Sequence, residues 1–139
     1  MPQPLLIQAS LLGRMGMKKI MVVDDDTDQT QTLKQLIEEI DTNYQVVCAT
    51  SGTRCLNYLV KNPVPDLILL DIMMPKMNGW ETFQKIRANE DWRDIPIIFV
   101  TARTDDFAVK AGSFLGTEYI RKPFDITEFK HKIRSLLQS

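Results

Sequence analysis

Histidine is almost absent: His131 is the only one in 139 residues, so a histidine-ligated metal centre or a Cys-His or Ser-His catalytic pair has almost no material. Cysteine is nearly as scarce. Cys48 and Cys55 stand seven positions apart, a spacing that fits neither a CxxC redox pair nor a zinc site, and two cysteines cannot staple a chain of this size. They read as buried thiols in a reducing cytosol. An excess of one charge is also lacking. Seventeen Lys and Arg against eighteen Asp and Glu leave a formal charge of -1, with no basic block and no aromatic-basic interleaving for tracking a phosphate backbone. Direct contact with nucleic acid is therefore not expected. The opening stretch MPQPLLIQASLLGRMGMKK has no basic n-region and is too short and polar to span a membrane. Residues 1–16 read as an N-terminal arm and the chain as cytoplasmic, without membrane insertion.

What is present is enough for one core: 44% of the residues are hydrophobic, in a length that suits a single domain. Apolar runs and amphipathic stretches alternate. KKIMVV (18–23) reads as a buried strand, and Leu33, Leu36, Ile37 and Ile40 then mark one face of a helix, with Thr27 or Asp28 as its expected cap. YQVVCAT (44–50) reads as a second strand and Gly52 to Lys61 as a helix stopped by NPVP. DLILLD (66–71) is a strand covered on both faces, followed by a loop and a helix carrying Trp80, Phe83 and Ile86. IPIIFVT (95–101), a helix near 105–114, a short strand at 117–121 and a last helix with Ile126, Phe129, Ile133, Leu136 and Leu137 complete the order. Five strands alternating with five helices predict an α/β fold: one doubly wound parallel sheet with helices on both faces.

Active groups of such sheets gather outside the carboxyl ends of the strands. Those ends carry Asp24 to Asp26, Asp71, Thr101 and, just past the fifth strand, Lys122. Clustered carboxylates repel one another, so a fold that keeps them together supplies a cation or leaves them solvated. All-oxygen chemistry suits magnesium (Mg²⁺). A carboxylate is also a nucleophile able to form an acyl phosphate, with Lys122 and Thr101 as electrostatic partners of the phosphoryl oxygens. Taken singly, Asp26 or Asp28 reads as a helix cap, Thr101 as an ordinary strand residue, and Lys122 as a solvated lysine whose bond to Pro123 is a candidate cis peptide.

Together these stretches resemble the receiver domain of the two-component response regulators, over residues 18 to about 137. VVDDD is similar to the acidic pair closing the family's first strand, with Asp24 and Asp25 at its two positions. DLILLDIMMPKMNGWE resembles the phosphoacceptor strand and loop, which implies Asp71 as the phosphorylated aspartate and the Met73 backbone carbonyl as part of the magnesium shell. FVTA resembles the Thr/Ser-Ala that contacts the phosphoryl group, implying Thr101 and the backbone of Ala102, with that of Met73, as phosphoryl contacts. YIRKPF resembles the segment carrying the aromatic switch residue, here Tyr119, and the lysine before a cis-proline, here Lys122 and Pro123. The flavodoxin-like strand order 2-1-3-4-5 is likewise implied by the resemblance, as is a receiver domain over residues 17–139. GTEY is one residue shorter than the family's usual loop, and Met73 with Arg103 form a bulky pair at the family's variable positions, implying a shielded phosphoform.

Two rival motifs fail on the residues. Asp24, Asp26 and Asp28 imitate half an EF-hand loop, but Gln29 and Gln35 stand where its glycine and bidentate glutamate belong. DTDQT (26–30) resembles the DxDxT of haloacid-dehalogenase-type phosphatases, yet leaves Asp71 and KPF unexplained. With only Gln138 and Ser139 after the last helix, the reading is a single-domain regulator rather than an enzyme. A sensor histidine kinase or histidine phosphotransfer protein donates the phosphoryl group, and a downstream protein reads the face of the fourth helix, fifth strand and last helix. A phosphorylation-dependent homodimer stays open. The alternative is a receiver-like interaction module that is never phosphorylated.

Overall fold

Alternate residues of KKIMVV go to opposite sides of the sheet, because a strand presents its side chains with a period of two. Ile20 and Val22 enter one core cluster, Met21 and Val23 the other. The computed structural model describes residues 16–101 and 118–137. Its strands are β1 (Lys18–Val23), β2 (Tyr44–Ala49), β3 (Leu67–Asp71), β4 (Ile97–Thr101) and β5 (Glu118–Arg121). The helices among the described residues are α1 (Thr27–Ile40), α2 (Gly52–Lys61), α3 (Gly79–Ala88) and α4 (Ile126–Leu137). All strand pairs are parallel and the order is β2-β1-β3-β4-β5, as the sequence led us to expect. The helix expected near 105–114 lies outside the described residues, as do Ala102, Arg103 and residues 1–15 of the arm.

The two clusters are the two faces. Leu33 and Ile37 of α1 and Phe129 and Ile133 of α4 cover Ile20, Val22, Leu67, Leu69 and Ile98. Cys55 and Leu59 of α2 and Phe83 and Ile86 of α3 cover Met21, Val23, Ile68, Leu70 and Phe99. β3 is therefore buried along its whole length, with each fully buried Leu or Ile contributing about 1.5–3 kcal/mol. That row of apolar neighbours ends on a carboxylate, Asp71, only 7% exposed. Its register partner on β4 is Val100.

Two local expectations change, and one choice is decided. Of the caps the sequence offered for α1 (Asp26, Thr27 and Asp28), the structure uses Asp26: its extended backbone lets the carboxylate accept from the N–H groups of Asp28 and Gln29, while Thr27 already lies inside the first turn. Cys55 is buried, but Cys48 is exposed, since β2 is the edge strand and pairs only with β1. Ile126, expected on the apolar face of the last helix, is 51% exposed at that helix's first position.

Candidate functional site

Four aspartates within five positions divide their work. Asp24 is 3% exposed and its Oδ1 accepts the Asp26 N–H at 2.9 Å, which folds the chain back at the end of β1. Asp26 caps α1, and Asp28 sits in that helix's first turn, where a negative charge meets the positive end of the helix dipole. Asp25 remains exposed. Asp24, Asp25 and Asp71 each present an oxygen, all within 4.8 Å of one another. Asp26, which a dehalogenase-type reading would make the nucleophile, belongs to the helix and not to this cluster.

Lys122 answers part of that charge. Its Nζ lies 2.9 Å from Asp24 Oδ2, and its N–H donates to the Thr101 carbonyl at 2.8 Å, which ties the residue after β5 to the end of β4. The Lys122–Pro123 peptide is cis. Burial, and then the neighbouring Asp24 carboxylate, pushes the pKa of Asp71 up from 3.8 to about 6, against the opposing pull of Lys122 and of the Met73 N–H. That N–H donates to Asp71 Oδ1 at 3.3 Å. Three carboxylates against one ammonium leave the crevice with excess negative charge and an all-oxygen donor set. This fits a hard divalent cation, and Mg²⁺ in particular.

The loop between β3 and α3 is shaped by contacts that the sequence did not reveal. Gly79 N–H donates to the Ile72 carbonyl at 2.9 Å, and a Cβ on Gly79 would lie 2.2 Å from the Asp71 carbonyl oxygen. Only glycine permits this approach. Asn78 and Glu81 form a reciprocal capping box on α3. The one available signal was the Asn-Gly pair ahead of an amphipathic stretch. Lys76 takes a φ of 65°, a left-handed conformation that disfavours a side chain bearing Cβ. Lys76→Gly is therefore expected to raise stability by about 1 kcal/mol, read from the urea midpoint; a lower midpoint would contradict the strain.

Thr101 is buried at the end of β4, two positions after Phe99 and so on the same face of the sheet. Phe99 pairs with Tyr119, which is half-buried against the α2–α3 cluster. Thr101 and Tyr119 are thus diagonal neighbours on one face. Met73 is 58% exposed. The structure brings Asp24, Asp25, Asp71 and Lys122 into one crevice and places Thr101 at the adjoining strand end, while Ala102 lies outside the described residues.

Residues 20–134 match the family model of the response regulator receiver domain. The transcriptional regulatory protein CpxR of Escherichia coli (strain K12) is 37% identical over 123 residues, which are 88% of this chain and 50% of that protein. A probable cyclic di-GMP phosphodiesterase of Vibrio cholerae is 34% identical over 121 residues, 86% of this chain and 26% of that protein. The solved structure of the Vibrio cholerae chemotaxis protein CheY4 superposes with a TM-score of 0.77 at 26% identity, covering 87% of this chain and 99% of that one. The chain thus spans about half the length of CpxR and about a quarter of the phosphodiesterase. With residues 20–134 accounted for by a single family description, the chain belongs to the response regulator receiver domains of two-component signalling.

Proposed function

We propose that Asp71 accepts a phosphoryl group from the phosphohistidine of a sensor histidine kinase or a histidine phosphotransfer protein, and that the phosphorylated chain signals by changing its protein partner. One observation carries the reading: a nearly buried carboxylate at a strand end, within 4.8 Å of two others and on the lip where Lys122 stands. An Asp71 carboxylate oxygen attacks phosphorus, the bond from phosphorus to the donor imidazole nitrogen breaks, and that nitrogen keeps the electron pair. The product is an acyl phosphate. Bound Mg²⁺, held by Asp24, Asp25, Asp71 and the Met73 carbonyl, supplies neutralisation of the phosphoryl charge. Lys122 moves from Asp24 to the phosphoryl oxygens, and Thr101 with the backbone N–H groups of Met73 and Ala102 donates to them.

Differential contacts of the phosphoryl group then favour one of two arrangements in which Thr101 and Tyr119 move together. The surface proposed to change is that of β5, α4 and the helix expected near 105–114, which lies outside the described residues. Lys132 of α4 already donates to the Tyr119 carbonyl at 3.1 Å, so a shift of β5 reaches α4 directly. A downstream protein reads this face, or a second copy of the chain does. No helix among the described residues is long and apolar enough to cross a membrane; the proposed place of action is the cytoplasm. Apart from its own phosphotransfer and slow autodephosphorylation, no enzymatic turnover is proposed.

Incubation with Mg²⁺ and acetyl phosphate, followed by intact mass measurement, tests the reading. Wild type is expected to gain one phosphoryl group and Asp71→Ala none. No gain by wild type favours an unphosphorylated interaction module, and a gain lost only in Asp26→Ala favours the phosphatase-type nucleophile.

A further inference from the structure

We propose that Trp80 is a positioning residue for Asp71, which acts by giving its indole N–H to an acceptor only when the β3–α3 loop closes on a loaded site. The inference rests on the phosphoacceptor reading above and extends it to a residue that touches neither metal nor phosphorus. Trp80 follows Gly79, whose backbone is pressed against the Asp71 carbonyl, so whatever fixes the first turn of α3 fixes the backbone of the acceptor. The Trp80 ring lies 4.5 Å from that of Phe99, tilted by 49°. Phe99 pairs with Leu70 on one side and Tyr119 on the other. The indole is therefore packed on the residue that separates the acceptor strand from the strand carrying Tyr119.

Two local conflicts coincide here. Trp80 Nε1 is the buried side-chain polar atom that, among the described residues, has no hydrogen-bond partner, an unfavourable state that native folds rarely leave unanswered. Four positions earlier, Lys76 holds a left-handed backbone. Strain of this kind points from structure to function when it clusters beside an active group. There is also room for relief. An open cleft of about 430 Å³ is lined by Trp80 together with Ile72, Met73, Met74, Pro75 and Asn78. In the closed arrangement a backbone carbonyl of residues 73–75 accepts from Nε1, which moves the Met73 end of the loop toward Asp71. A site loaded with metal and phosphoryl group selects that arrangement because the Met73 backbone, moved toward Asp71, makes contacts with the loaded site that the open loop does not make.

The indole N–H signals of ¹⁵N-labelled protein test this, with Trp92 as internal reference and Trp80→Phe for assignment. Spectra are taken of the free protein, with Mg²⁺, and with Mg²⁺ plus acetyl phosphate, alongside intact mass. On loading, the Trp80 signal should move downfield and its hydrogen exchange slow by about tenfold, while Trp92 stays in place. Trp80→Phe keeps a ring on Phe99 but has no donor. It should need about fivefold more Mg²⁺ for half-maximal phosphorylation, the worth of one neutral hydrogen bond, with the rate at saturating Mg²⁺ little changed. A purely structural role would lower stability and leave that Mg²⁺ requirement where it was. If wild type gains the phosphoryl group and the Trp80 signal does not move, or if Trp80→Phe needs no more Mg²⁺, the proposal is overturned and the phosphoacceptor stands. If wild type gains none, the phosphoacceptor reading fails, and an unmoved indole with Mg²⁺ alone overturns this one as well.

Discussion

Gly79→Ala is expected to lower the stability of the protein by about 3 kcal/mol and its melting temperature by roughly 10 °C. The added methyl would meet the Asp71 carbonyl oxygen at 2.2 Å, the Ile72 Cα at 2.7 Å and the Asp71 carbonyl carbon at 2.9 Å. All three are backbone atoms, so no side chain can rotate away, and relief requires moving either the start of α3 or the end of β3. The second movement shifts the carboxylate itself. A displacement of about 1 Å at a reacting group lowers a rate by about a hundredfold, so phosphorylation by acetyl phosphate should fall further than the loss of folded protein explains. Gly16→Ala is the control, since nothing lies within 4 Å of a Cβ there. It should change stability by less than about 0.5 kcal/mol. Chemical denaturation and rate of phosphoryl gain, measured on both variants, check the pair of effects. Equal behaviour of the two would show that the approach of Gly79 to the acceptor strand does not matter.

Asp71→Asn is expected to stabilise the metal-free protein at neutral pH while abolishing its gain of phosphoryl group. Asp71 has its pKa raised from 3.8 to about 6, first by burial and then by Asp24. Between those two pH values the native state binds a proton that the unfolded chain has already released, so wild-type stability falls as pH rises through the window. Below about pH 4 the carboxyl is neutral in both states and the two proteins should melt alike. Above about pH 6 the asparagine variant should be more stable by about 1–2 kcal/mol, a figure reduced from the full shift because the crevice opens to solvent. Mg²⁺ should reverse the order by binding the ionised carboxylates of wild type, an effect that grows with pH over the same range. Melting curves of both proteins from about pH 3 to 8, with and without Mg²⁺, read all of this at once. A wild type that is more stable than Asp71→Asn at pH 7.5 without metal would contradict the buried repulsion.

The central strands β3 and β4 were legible because they are covered on both faces and therefore apolar along their buried run. KKIMVV begins and ends where β1 does, at Lys18 and Val23, and Gly52 to Lys61 matches α2 because Asn62 precedes a proline. The acids at the strand ends were legible for a related reason, since Asp71 is the first charge after four buried residues. Their partners were not. Lys122 was expected to face a phosphoryl group, and in the structure its Nζ rests on Asp24, 98 positions away. Which of the four aspartates at positions 24–28 caps α1 depends on the backbone angles at the turn, and these follow from how β1 ends rather than from residue type. Cys48 is exposed because β2 lies at the sheet's edge, a matter of strand order. The contact of Gly79 with the Asp71 carbonyl depends on the path of a loop, and the unpartnered Trp80 N–H depends on what that path leaves beside the indole.

The central claim is that one carboxylate, that of Asp71, takes the phosphoryl group. Borohydride reduction of the protein after reaction with Mg²⁺ and acetyl phosphate converts an acyl phosphate to an alcohol, and peptide mapping then locates the altered residue. The account predicts the reduced position at Asp71 and nowhere in the segment 24–28. Reduction at Asp24, Asp25 or Asp26 with Asp71 untouched would contradict it.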